Sequence, residues 1–74
     1  MSNDALLEEA ATQYEAVAAE LEQAVAHLNT VAGHFRTKEL ARAGAHAFAA
    51  HGHMLNAEAL FGELAKLHAS RSTP

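Results

Sequence analysis

The chain contains no cysteine, no tryptophan and no isoleucine, and its single proline is the last of its 74 residues. Without cysteine it forms neither disulfides nor thiolate-ligated metal sites. Aromatic residues make up only 5% of the chain, so few bulky side chains are present to build a core. A small domain that lacks such cross-links needs very good helix packing or association with another chain.

Long apolar runs are also missing, and basic charge is missing from the first half. No apolar run approaches the roughly 20 residues that span a bilayer, and the polar, acidic start is unlike a signal or transit peptide. We therefore expect a cytoplasmic protein with no membrane partner.

Residues 1–35 carry six acidic side chains and no lysine or arginine, whereas residues 36–74 carry five basic and three acidic ones. The basic residues form no continuous stripe, so we expect no nucleic-acid partner.

Alanine dominates what is present. Nineteen of the 37 hydrophobic residues are alanines, and only 18 are larger side chains. Alanine is the best helix former and lets helix backbones approach closely. The composition therefore predicts an all-helical protein whose core is too thin for a large solitary domain.

A seven-residue repeat of apolar side chains predicts a first helix from about residue 4 to about residue 34. One row of the repeat contains Leu7, Tyr14, Leu21, Leu28 and Phe35. A second row contains Ala10, Val17, Ala24 and Val31. We expect these two rows to form the seam, meaning the contact surface with the partner helix.

The repeat breaks between residues 33 and 38, which predicts a turn at about 35–37. Gly33 is placed to cap the first helix and Thr37 to cap the second.

The second helix is expected over about 38–69, with a tail at 70–74. Its seam rows are Leu40, Ala47, Met54, Phe61 and His68, and Ala43, Ala50, Ala57 and Leu64. The fold class is all-α, with one antiparallel two-helix hairpin domain over residues 1–74.

The second helix carries apolar side chains over a wider arc than one partner helix covers. The residues on its two flanks are Phe48, Leu55, Leu60 and Leu67. We expect these four to form the interface of a homodimer in which two hairpins make a four-helix bundle. The expected function is a non-enzymatic interaction or assembly module, with a second copy or another protein as its partner.

The segment His51-Gly52-His53 leaves an alternative open, in which the second helix breaks at Gly52 and a third begins near Asn56. This arrangement resembles one tetratricopeptide repeat without its usual tryptophan and proline. The residues that carry the resemblance are Gly44, Phe48, Gly52, Ala57 and Phe61. Such repeats need neighbouring repeats to bury their core.

The six histidines suggest a second function class. With the turn near residue 36, residue i faces residue 73 − i, so Glu20 faces His53 and His27 faces His46. Imidazole and carboxylate groups suit Zn, Cu or Ni. The alternative function is therefore a transition-metal-binding bundle that uses Glu20, His27, His46 and His53. Residues seven apart on a helix are about 10.5 Å apart, so two separate two-ligand sites are expected rather than one.

Two other interpretations of the histidines remain. They are ordinary surface or seam residues, or they respond to pH. If His27 and His46 face each other, protonating both is unfavourable, which predicts lower stability below about pH 6.

No motif indicates catalysis or an organic cofactor. Glutamate never precedes histidine by three residues, as di-iron bundles require. Serine is present only near the termini, at Ser2, Ser70 and Ser72, and no glycine-rich phosphate loop exists. We therefore expect no enzymatic activity, no catalytic residue and no cofactor beyond the alternative metal ion.

The stretch from about residue 34 to 69 contains Ala45-His46, His51-Gly52-His53 and Leu67-His68-Ala69. In these it resembles a group of small, uncharacterised, alanine- and histidine-rich bacterial proteins. The resemblance implies a helical hairpin of bacterial type and carries no activity or site with it. The chain departs from the pattern where Phe48, Leu60, Phe61 and Leu64 replace polar or histidine positions.

Overall fold

A computed structural model describes residues 3–71, which form two α-helices joined by a tight turn. Helix α1 spans Asn3–Arg36 and helix α2 spans Leu40–Arg71. The helices pack antiparallel into an elongated hairpin that measures 56 × 22 × 13 Å. The predicted all-α hairpin is confirmed. Helix α1 is slightly longer than predicted, whereas α2 has the predicted length of 32 residues but begins and ends two residues later. The turn therefore lies at 37–39 and not at 35–37, and α2 includes the first part of the expected tail. Residues 72–74 lie outside the described residues.

Helix α2 continues through Gly52, so the alternative with a break at that residue is wrong. A glycine in a helix interior costs about 1 kcal/mol relative to alanine. On either side of it, Ala50 and Ala57 are buried against α1, and this packing holds the helix together. The arrangement that resembled a tetratricopeptide repeat is wrong for the same reason.

The seam between α1 and α2 is built mainly from small side chains. Its buried residues, among those whose side chains the structure describes, are Val17, Ala24, Ala43, Ala50, Ala57 and Leu64. All six belong to seam rows that the sequence predicts. Because four of the six are alanines, the helices approach closely but bury little apolar volume.

The other predicted seam row of each helix does not lie in the seam, and both expectations are wrong. In α1 the row is 41–67% exposed and consists of Leu7, Tyr14, Leu21, Leu28 and Phe35. In α2 the row is exposed throughout and consists of Leu40, Ala47, Met54, Phe61 and His68. The seam instead uses the half-buried residues one position earlier, which are Leu6, Gln13, Glu20, His27 and His34 of α1 and His46, His53, Leu60 and Leu67 of α2. The close approach of the alanines leaves no room for the bulky rows between the helices, so both rows lie to one side.

We call this side of the hairpin the apolar face. It consists of Leu7, Tyr14, Leu21, Leu28 and Phe35 of α1 with Leu40, Met54 and Phe61 of α2. The rings of Tyr14 and Phe61 meet edge to face across it, with centroids 6.3 Å apart. The apolar face therefore runs along both helices and is formed jointly by them.

The turn ends α1 with a left-handed residue, Lys38, whose φ is 62°. The backbone N–H of Glu39 donates to the carbonyl of His34 at 2.8 Å, and that of Lys38 donates to Phe35 at 3.1 Å. This is the Schellman pattern of helix ends, in which glycine is the usual left-handed residue.

The predicted caps at Gly33 and Thr37 are both wrong. Gly33 lies inside α1, and the Thr37 hydroxyl donates back to the carbonyls of Gly33 and His34. The carbonyl of Glu39 accepts the first hydrogen bond of α2, from the N–H of Ala43, so Glu39 occupies the N-cap position. Lys38 escapes sequence analysis because its left-handed conformation follows from the turn and not from its own preference.

Replacing this lysine tests the turn. We expect Lys38→Gly to stabilise the fold by about 1 kcal/mol, because glycine adopts a positive φ without the steric cost that an L side chain pays. Lys38→Ala, which also removes the charge but keeps a Cβ, is the matched control and is expected to give no such gain. Thermal unfolding followed by circular dichroism measures both, and equal melting temperatures for the two variants would contradict the assignment.

Candidate functional site: a histidine column

Polar side chains occupy the edge of the seam opposite the apolar face. Glu20 follows the buried Val17 by three residues and Leu21 follows it by four, which at 100° per residue places them on opposite sides of Val17. In the same way His27 follows Ala24 by three residues and belongs to the polar side. One hairpin therefore separates an apolar face from a polar edge.

Histidines from the two helices meet at this edge. The Nδ1 atoms of His27 and His46 lie 3.0 Å apart, and the Nδ1 of His53 donates to a Glu20 carboxylate oxygen at 2.6 Å. Both pairs are the ones that the register of the predicted hairpin brings together. Nearer the turn, His34 donates to Glu39, also at 2.6 Å.

These pairs join into one continuous stack of rings. Ring centroids are 5.3 Å apart between His34 and His46, 5.2 Å between His46 and His27, and 5.5 Å between His27 and His53. A carboxylate closes each end of the stack. We call this arrangement the histidine column; in order it contains Glu39, His34, His46, His27, His53 and Glu20.

Sequence analysis places four of the six column residues and misses His34 and Glu39. The signal for these two is present in the sequence. They satisfy the same facing rule, since 34 and 39 add up to 73, and each lies seven residues from a histidine of the central pair. The predicted turn at 35–37 lies between His34 and Glu39. The facing rule is applied above only to residues farther from the turn, so it does not identify this pair.

The two remaining histidines lie outside the column. His51 is exposed on α2. His68 lies near the other end of the hairpin, where a ring nitrogen is 3.4 Å from the Tyr14 hydroxyl. The column is therefore a local feature of the turn-proximal half of the hairpin.

The two ends of the column are electrostatically satisfied. The hydrogen bond from His53 lowers the pKa of Glu20 below its usual value, and the Asn56 amide and the charge of His53 add to this, while partial burial opposes it. At the other end, Glu39 also lies 3.8 Å from the Arg42 guanidinium. At each end of the column a carboxylate therefore accepts a hydrogen bond from a histidine ring.

The central pair has no such carboxylate. Only one proton fits between the two Nδ1 atoms of His27 and His46, so one nitrogen donates and the other accepts. This is the hydrogen bond of the column that involves no carboxylate.

The column does not form one multidentate metal site. Within residues 3–71, no three histidine, aspartate or glutamate side chains are grouped so that they hold one ion together. Glu20 and His53 form one pair, and His27 and His46 form another. The role of these four residues as metal ligands stays a prediction.

The four predicted interface residues occupy two different environments. Leu60 packs against the core cluster of the hairpin and Leu67 is half-buried, so both serve contacts within one chain. Phe48 is 81% exposed, and Leu55 borders a groove that Leu21, Met54 and Phe61 also line. Phe48 lies seven residues before Leu55 and therefore on the same stripe of α2, so both residues adjoin the apolar face.

Comparison with protein-family models, with curated proteins and with solved structures finds no match for this chain. The resemblance to alanine- and histidine-rich bacterial hairpins stays a prediction. Neither helix, over the part of the chain that the structure describes, is long and apolar enough to cross a membrane.

Proposed function

We propose that the chain is a non-enzymatic assembly module whose apolar face binds a second copy of the same chain, so that two hairpins form a four-helix bundle. The observation that carries this proposal is the apolar face itself. Eight large apolar side chains from both helices lie exposed on one side of the hairpin. A contiguous exposed apolar patch on a small protein usually marks an interface.

The thin core of one hairpin supports the same proposal. Val17 and Leu64 are the only buried side chains larger than alanine among those that the structure describes. A chain of this size buries a small fraction of its surface and is marginal when it folds alone. Packing two apolar faces together would place Leu21, Met54 and Phe61 in a shared core, which supplies the apolar burial that a single hairpin lacks.

The dimensions of the apolar face suit a dimer interface. The hairpin is 56 Å long and 22 Å wide. A face of this size exceeds the roughly 800 Å² that each partner buries in a stable complex. The hairpin is only 13 Å thick, so two of them stacked face to face reach the cross-section of a bundle two helices deep.

The charge distribution favours one way of stacking. Residues 1–35 carry six acidic and no basic side chains, whereas residues 36–74 carry five basic and three acidic ones. Packing α1 of one copy against α2 of the other avoids bringing the two acidic helices together. A twofold axis along the bundle produces this arrangement, with both turns at the same end and every neighbouring pair of helices antiparallel.

The concentration dependence of unfolding tests the proposal. Because folding and association are coupled in such a dimer, we expect the melting temperature to rise by about 5 °C for each tenfold increase in chain concentration. Circular dichroism over a hundredfold range measures this. A cooperative melting temperature that does not change with concentration would contradict a homodimer and would leave a different protein as the partner of the apolar face.

A further inference from the structure

We propose that His27 and His46 together bind one transition-metal ion per chain, with Cu(II) preferred. The site is the central pair of the histidine column. It lies on the polar edge of the seam, on the opposite side from the apolar face, so the proposed dimer interface leaves it open to solvent.

The distance between the two ring nitrogens fits this ion. Imidazole nitrogens lie about 2.0 Å from a bound metal. Two Nδ1 atoms 3.0 Å apart then subtend an angle of about 95° at the ion. This is close to the right angle between neighbouring ligands in the tetragonal sites of Cu(II) and Ni(II), whereas tetrahedral Zn requires a separation of about 3.3 Å.

The two Nδ1 atoms of the central pair are also the ones in the column that no carboxylate occupies. The Nδ1 atoms of His34 and His53 already donate to carboxylates. Between His27 and His46, one Nδ1 carries no proton. When a metal ion binds both Nδ1 atoms, the proton of the donating ring moves from Nδ1 to Nε2, so both rings stay neutral and no proton is lost. Two nitrogen–metal bonds then replace one nitrogen–nitrogen hydrogen bond.

The rest of the column supports a cation at this position. The rings of His34 and His53 stack on the central pair from either side and restrict how its rings turn. Glu20 and Glu39 contribute two negative charges, one at each end, without occupying the site. Water completes the coordination on the solvent side. Among divalent ions, Cu(II) binds a given nitrogen site most tightly, so the expected order is Cu(II) above Ni(II) and Zn(II).

Isothermal titration of the untagged chain with Cu(II), Ni(II) and Zn(II) at pH 7.5 tests the site. We expect one Cu(II) ion per chain at micromolar Kd, with Ni(II) and Zn(II) weaker by at least tenfold. His27→Ala and His46→Ala are each expected to weaken Cu(II) binding at least tenfold. His51→Ala, which removes an exposed histidine of α2 outside the column, is the matched control and is expected to change the Kd less than twofold.

Two checks keep the outcome decisive. Circular dichroism establishes that each variant is helical, and His46→Gln replaces the alanine variant if that one unfolds. Electron paramagnetic resonance of the Cu(II) complex is expected to show coupling to two imidazole nitrogens, and to one in His46→Gln. Absence of micromolar Cu(II) binding would overturn the proposal, as would equal losses in the column variants and in His51→Ala.

Discussion

Leu21→Lys is expected to abolish the dimer and, with it, most of the helical structure at micromolar concentration. Leu21 lies near the middle of the apolar face and lines a groove with Met54 and Phe61. In the proposed bundle a lysine at this position places an unpaired charge in an apolar interface, which costs several kcal/mol. Because one hairpin buries little apolar surface, we expect it to lose most of its helical structure when the dimer is lost.

The control for this variant is Ala19→Lys. Ala19 is exposed and lies two residues before Leu21, which is about 200° away around the same helix. The two variants carry the same added charge on the same acidic helix. We expect Ala19→Lys to retain the wild-type helicity and mass, as measured by circular dichroism and light scattering. Wild-type behaviour of Leu21→Lys would show that the apolar face is not an interface between copies.

Lowering the pH from 5.5 to 3.5 is expected to reduce the melting temperature through Glu20. The hydrogen bond from His53 lowers the pKa of Glu20 below its usual value, and the Asn56 amide adds to this. A carboxyl group whose pKa is lowered on folding stabilises the folded state above its usual value of 4.5, and this contribution is lost as the pH falls through the folded-state pKa.

The variant Glu20→Gln separates Glu20 from the other carboxyl groups. Glutamine keeps a hydrogen-bonding side chain at this position and does not titrate, so the melting temperature of Glu20→Gln is expected to fall less than that of the wild type between pH 5.5 and 3.5. Thermal unfolding followed by circular dichroism measures both. An equal fall in the wild type and the variant would contradict the role of Glu20.

Sequence patterning predicted the hairpin and its register but not the rotation of either helix about its own axis. The seven-residue repeat of Val17 and Ala24 identifies a row that is indeed buried. It does not say which neighbouring row joins it, because Leu21 on one side and Glu20 on the other are both compatible with the period. Hydrophobicity favours Leu21 in the seam. The structure places Glu20 there because His53 and Asn56 satisfy its carboxylate from the facing helix.

The sequence predicted the facing pairs of the candidate site but not the stacking of their rings. The facing rule brings His27 to His46 and Glu20 to His53, and it requires only the position of the turn. Stacking of the rings into one column depends on side-chain orientation, which the sequence does not specify. Once Glu20 and the histidines occupy the seam, the bulky row of α1 is displaced to the apolar face. The polar column and the proposed interface thus both follow from how the two helices are rotated about their axes.

The mass of the folded chain in solution tests the central claim most directly. Sedimentation equilibrium at pH 7.5 and micromolar to hundred-micromolar concentration is expected to give a single helical species of twice the 7.8 kDa chain mass. A cooperatively folded species that sediments as a 7.8 kDa monomer throughout that range would contradict the proposal that a second copy covers the apolar face.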